Sequence, residues 1–135
     1  MDKIKCALLI DDDSINNFIN ERLLKKLNIA EQVKVVLNGE EALKYITQRC
    51  SENFPCPELI LLDINMPVMD GFEFLKEYKK LDFTGKSSIV IIMLTTSTNP
   101  NDTERLNDSG ASNYVNKPLT EQKLLDIMKQ YFGWH

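Results

Sequence analysis

Three stretches of this chain are apolar without interruption: Cys6 to Ile10, Leu59 to Leu62 and Ile89 to Leu94. A strand with one wet face alternates apolar and polar residues. Unbroken runs therefore point to strands buried on both faces, the condition of a parallel sheet covered by helices. A further strand is expected at Val33 to Leu37, which is β-branched, and a short one at Asn113 to Asn116.

Helical patterns fill the gaps between these runs. Ile15, Phe18, Ile19, Leu23 and Leu27 recur near helical spacing, with Ser14 or Asp13 placed to cap a helix that ends near Leu27. Asn38 and Glu41 form a capping-box-like pair ahead of a helix whose apolar face is Ala42, Leu43, Ile46 and Cys50. After a loop from Ser51 to Pro57 and the third strand, Phe72, Leu75 and Tyr78 mark another helix. Asn99 and Pro100 open a fourth, with Leu106 its one large aliphatic before Gly110 ends it, so it is expected to be weakly anchored. Thr120 caps the last helix, whose face is Leu124, Leu125, Met128, Tyr131 and Phe132, with Leu119 and Leu124 at staple positions. Strands alternating with helices predict an α/β fold: a doubly wound five-stranded parallel sheet with five helices, in one domain over residues 1–135.

Composition excludes several classes. A formal charge of -4 disfavours a broad grip on nucleic acid, and the lysines are scattered instead of forming a stripe. Direct nucleic-acid binding is not expected. No apolar run is long enough to span a bilayer, and the first residues lack a signal-peptide pattern, so a cytoplasmic location without membrane insertion is expected. Cys6, Cys50 and Cys56 have no CxxC spacing and read as reduced packing residues rather than a disulfide framework or zinc site.

The informative residues stand where the apolar runs stop. In doubly wound sheets the ligand site lies beyond the carboxyl ends of the strands, which collects Asp11, Asp12, Asp63, Thr95 and Lys117 at one edge. Converging carboxylates repel one another unless a proton or a cation intervenes. Oxygen ligands without nearby His or Cys select a hard ion, and few protein ligands completed by water suit Mg²⁺. A lysine and a threonine hydroxyl beside them can stabilise a transferring phosphoryl group, leaving Asp63 to attack.

Four segments together resemble the receiver domain of two-component response regulators, the CheY-like family: Leu8-Leu9-Ile10-Asp11-Asp12-Asp13, the run from Asp63 through Asn65, Met66 and Pro67 to Asp70-Gly71, Leu94-Thr95-Thr96, and Gly110 to Pro118. The resemblance covers essentially the whole chain. It implies that Asp63 accepts a phosphoryl group from a phosphohistidine, that Asp12 ligates Mg²⁺ directly and Asp11 mainly through water, and that Asp63 and the Asn65 backbone carbonyl complete the protein ligands. It also implies that Lys117 and Thr95 contact the phosphoryl group, that Thr95 and Tyr114 form a switch, and that Lys117-Pro118 is cis. Asp13 falls outside the acidic pair and is assigned to the helix cap. The partners implied are a sensor histidine kinase or a His phosphotransfer protein and an unspecified downstream protein, reached through the face of the fourth helix, fifth strand and fifth helix. A monomer or a phosphorylation-dependent homodimer is expected, acting as a signalling domain instead of an enzyme with a free substrate. Thr96, bulkier than the small residue often found there in the family, is expected to slow dephosphorylation.

Each residue has a simpler reading alone: Lys117 as a solvated lysine, Thr95 as a strand-ending hydroxyl, Asp11 to Asp13 as caps, Tyr114 as a core aromatic. Their coincidence at one sheet edge favours the functional reading. The competing classes are a phosphorylation-independent pseudo-receiver, an aspartyl phosphatase of the haloacid dehalogenase type and a flavin-binding domain of the same architecture. The pseudo-receiver would typically have lost an acidic, Thr or Lys position, and all are retained. A phosphatase would place its nucleophile in an early Asp-x-Asp strand end. Asp11-Asp12-Asp13 would repel a flavin phosphate.

Overall fold

The computed structural model describes residues 3–51, 56–66, 68–96 and 100–135, with backbone alone at 51 and 100–103. Along the chain it forms β1 (Ile4–Ile10), α1 (Ser14–Lys26), β2 (Ala30–Val36), α2 (Gly39–Ser51), β3 (Leu59–Asp63), α3 (Gly71–Tyr78), β4 (Val90–Thr95), α4 (Pro100–Asp108), β5 (Asn113–Asn116) and α5 (Glu121–Phe132). The five strands make one parallel sheet in the order β2-β1-β3-β4-β5. Strand order reverses at β1 and β3, so the crevice between their carboxyl ends is the topological switch point.

Successive strand residues point to opposite faces, and the core divides accordingly. Leu8, Ile10, Ile60, Leu62, Ile91 and Met93 meet Ala42, Ile46, Phe74, Leu75, Tyr78 and Leu106 of α2, α3 and α4. Ala7, Leu9, Leu59, Leu61, Ile92 and Leu94 meet Leu24 of α1 and Leu124, Ile127 and Met128 of α5. Both faces of β3 are thereby buried, as its unbroken apolar run requires. Leu119 and Leu124 share the second cluster, consistent with the staple.

The caps account for most helix starts. The Asp13 carboxylate accepts from the Ile15 and Asn16 N–H groups, Asn38 accepts from Glu41 N–H at 2.9 Å, and Thr120 accepts from Lys123 N–H. Asp70 and Glu73 close a reciprocal capping box at α3. Gly110, at φ 88°, follows α4. The expected contributions of Pro55, Pro67, Ser97 and Asn99 lie outside the described residues.

Four expectations are corrected. Ile15, Phe18 and Ile19 of α1 are exposed, at 69, 60 and 54 %, whereas Asn17 and Leu24 are buried. The helix meets the sheet along the Asn17–Leu24 line, because the Asn17 side chain is tied to the β1 end. On α3 the fully buried aromatic is Phe74, with Phe72 half-buried. The fourth strand begins at Val90 because a 3-10 turn at Lys86–Ser88, opened by Gly85 at φ 86°, consumes the residues before it. Cys50 and Cys56 form a disulfide, and Cys6 is a free, buried thiol. Among the described residues no helix is long and apolar enough to cross a membrane.

Candidate functional site

Asp11 leaves β1 directly into the crevice and is almost wholly buried. Its backbone is fixed from two sides: its N–H donates to Val36 O at 3.2 Å, and the Asn17 side-chain amide donates to its carbonyl at 2.8 Å. One carboxylate oxygen, Oδ1, accepts from Asp13 N–H at 2.9 Å, while the buried Oδ2 has no hydrogen-bond partner. Burial pushes this carboxyl up to about 6; the neighbouring Asp63 charge adds to the push, and the Asp13 N–H and Lys117 oppose it.

Asp63 is the last residue of β3, paired with Leu94 of β4 and 4 % exposed. Its backbone approach to α3 is unusually close. A Cβ on Gly71 would lie 2.8 Å from Asp63 O and 2.9 Å from Ile64 Cα, and the Gly71 N–H donates to Ile64 O at 2.8 Å. Glycine is therefore required for α3 to start against the strand end. Between them, Val68 holds φ 70°, a left-handed conformation that strains a β-branched residue, and it is 76 % exposed.

The opposing side supplies a cation and a hydroxyl. Lys117 Nζ lies 2.6 Å from Asp63 Oδ1 in an ion pair that is largely shielded from water on the aspartate side. The pair's angles fall short of a directed hydrogen bond, so Oδ1 keeps unspent acceptor capacity. Thr95 ends β4, is 3 % exposed, and its carbonyl accepts from Lys117 N–H at 2.7 Å. The Lys117-Pro118 bond is cis, as the resemblance implies, and directs the chain from β5 toward α5.

Asp11, Asp12 and Asp63 each offer a carboxylate oxygen within 4.8 Å of the others, with Asp12 exposed. Three carboxylates, with a buried oxygen of Asp11 and one of Asp63 that accept no hydrogen bond, fit a hard divalent cation, which would relieve the repulsion that burial intensifies. Asn65, two residues past β3, is exposed. Tyr114 in β5 is half-buried and packs against the first core cluster. Asn17, which holds Asp11, was not singled out from sequence, and Gly71 was read as a turn residue without its close approach to Asp63. The signals for them are a polar residue on the inward line of α1 and the Asp70-Gly71 dipeptide before a helix.

A family model described as the response regulator receiver domain matches residues 7–129. The chain belongs to the response regulator receiver family. It is 34 % identical over 123 residues to two-component response regulator 24 of Arabidopsis thaliana, covering 90 % of this chain and 80 % of that one. It is 31 % identical over 130 residues to response regulator Rcp1 of Synechocystis, covering 96 % and 85 % respectively. A crystal structure of a two-component response regulator from Cytophaga hutchinsonii superposes with a TM-score of 0.87 at 28 % identity, over 98 % of this chain and all of that one. Receiver domains are signalling domains that pair with histidine kinases or phosphotransfer proteins and generally bind Mg²⁺ at an acidic pocket. The acidic cluster of this receiver stands where its topology puts the switch point.

Proposed function

We propose that this receiver accepts a phosphoryl group on Asp63 from a phosphohistidine of a sensor kinase or phosphotransfer protein. The observation that carries the reading is the arrangement around one buried carboxylate: Lys117 ion-paired to it at 2.6 Å, Asp11 and Asp12 within ligand reach, and Thr95 ending the adjacent strand. Asp63 attacks phosphorus in line, the phosphorus–nitrogen bond breaks, and an acyl phosphate forms. Lys117 follows the charge from the carboxylate onto the phosphoryl oxygens, and the Thr95 hydroxyl donates to one of them. Asp11, Asp12, Asp63 and the Asn65 carbonyl would hold Mg²⁺, which would supply neutralisation of the phosphoryl charge. Hydrolysis later returns Asp63 to its carboxylate.

The donor docks on α1. Ile15, Phe18 and Ile19 expose a contiguous apolar set on the helix that leaves the acidic loop, and a groove of about 590 Å³ beside it is lined by Ile19, Arg22, Leu23 and Leu119. A large exposed apolar patch next to a reactive carboxylate fits a protein donor better than a small one. Output passes through α4, β5 and α5. The single large aliphatic of α4, Leu106, anchors an element able to shift, and the half-buried Tyr114 packs against the core cluster that holds Leu106.

A small phosphodonor with Mg²⁺ tests the acceptor assignment. Wild type takes up one phosphoryl group, Asp63→Asn none, and Lys117→Ala far less. Equal labelling of Asp63→Asn would defeat the reading.

A further inference from the structure

Cys50 closes the last turn of α2 and Cys56 stands three residues before β3, so their disulfide bridges the chain between these elements, with Cα atoms 4.8 Å apart. This clasp lies at the amino end of β3, whereas Asp63 terminates the same strand at its carboxyl end. Five strand residues, on the order of 15 Å, separate the two poles.

Neither neighbouring element depends on the bridge for its place. α2 is held by fully buried Ala42 and Ile46, and β3 is paired on both edges and buried throughout. Cys50 packs against the core margin, while Cys56 lines a groove of about 260 Å³ with Lys5, Glu58 and Ser88. Cys56 is half-buried rather than enclosed and shares that groove with Lys5, and a disulfide at such a margin is a candidate for attack by a thiolate. Cys6 does not compete for it. This thiol is fully buried in β1, its sulfur 3.7 Å from the Tyr45 hydroxyl, and burial pushes its ionisation up.

We propose that Cys50 and Cys56 form a reversible redox site, opened by dithiol reductants and closed by low-molecular-weight disulfides, at the pole opposite the phosphoacceptor. In opening, a reductant thiolate attacks the Cys56 sulfur and the sulfur–sulfur bond breaks toward Cys50, whose thiolate takes a proton. The second thiol of the reductant then displaces the Cys56 sulfur, leaving two protein thiols and one oxidised dithiol. Closure by oxidised glutathione reverses the electron flow and releases two glutathione thiols.

Opening leaves the fold intact but removes a constraint on the unfolded chain. The unfolding equilibrium constant then rises by about one to two orders of magnitude for so small a loop. The test uses the whole chain, cycled between dithiothreitol and oxidised glutathione, then denatured, alkylated and weighed. One thiol is expected after oxidation, three after reduction and one again after reoxidation, with a lower denaturation midpoint in the reduced form. A Cys50→Ser/Cys56→Ser variant keeps one thiol and one midpoint throughout. The labelling rate of Asp63 is equal in both redox forms, and Asp63→Asn gives the same thiol titration, so this site stands or falls separately from the phosphoacceptor. Three free thiols or glutathione adducts after oxidation, or pairing through Cys6, would overturn it.

Discussion

At the scale of single residues, the site combines one buried carboxylate that faces a cation and one that does not. Asp63 has Lys117, whereas the buried Oδ2 of Asp11 has no partner, and Asp11 is held near 6 by burial first and by Asp63 second. Because the folded value lies above the ordinary one of 3.8, the metal-free native state binds this proton more tightly than the unfolded chain does. Asp11 thus favours folding most below its unfolded value, and that contribution is lost as pH rises through about 6. Cation binding has the opposite sign: Mg²⁺ affinity weakens up to about tenfold per pH unit below the Asp11 pKa, and titration of affinity against pH checks it. A flat profile across that range would contradict the assignment. Val68 gives a second prediction. Its left-handed backbone costs about 1 kcal/mol or more for a β-branched side chain, and its exposure means that little packing is lost on substitution. Val68→Asn is expected to stabilise by roughly 0.5–1 kcal/mol, read as a raised urea midpoint at unchanged slope.

At the scale of elements, side-chain type and spacing revealed the strands, because an unbroken run such as Leu59 to Leu62 has only one economical environment. The same reasoning turned α1 the wrong way. Ile15, Phe18 and Ile19 have the spacing of a core stripe, yet Asn17 faces inward because its amide holds the Asp11 carbonyl. Periodicity reports which face is apolar, and here the exposed apolar face is available to a partner. Phe18→Ser is therefore expected to slow transfer from a phosphorylated histidine phosphotransfer protein severalfold while leaving labelling by a small donor unchanged. Parallel rate measurements with the two donors check this. On α3 the burial of Phe74 against the half-exposure of Phe72 separates two aromatics that the sequence pattern could not rank. Phe74→Ala is expected to cost about 3–5 kcal/mol. Phe72→Ala costs less, since the half-buried Phe72 packs only at the margin of the first core cluster, with the Arg105 guanidinium 3.9 Å from its ring centre. Denaturant titration of both variants ranks them.

At the scale of the molecule, the doubly wound topology gathers at one edge residues from distant parts of the sequence. Asp11, Asp63, Thr95 and Lys117 follow or end different strands, and the crevice between β1 and β3 brings the first two together. Asp11, Asp63 and Thr95 were legible in the sequence because each ends an apolar run, and Lys117 because it follows a short strand and precedes Pro118. Gly71 was legible only as a turn residue, since its closeness to Asp63 O is a contact between separate segments. The Cys50–Cys56 pair was hidden for a related reason: its spacing matches no redox or metal motif, and only the placement of α2 against β3 joins the sulfurs. The central claim is that the phosphoryl group resides on Asp63. Borohydride reduction of the labelled protein converts an acyl phosphate of aspartate to homoserine, so peptide mass mapping locates it directly. The account predicts homoserine at position 63 alone and dependent on Mg²⁺; phosphoryl label without homoserine there, or homoserine at another aspartate, would contradict it.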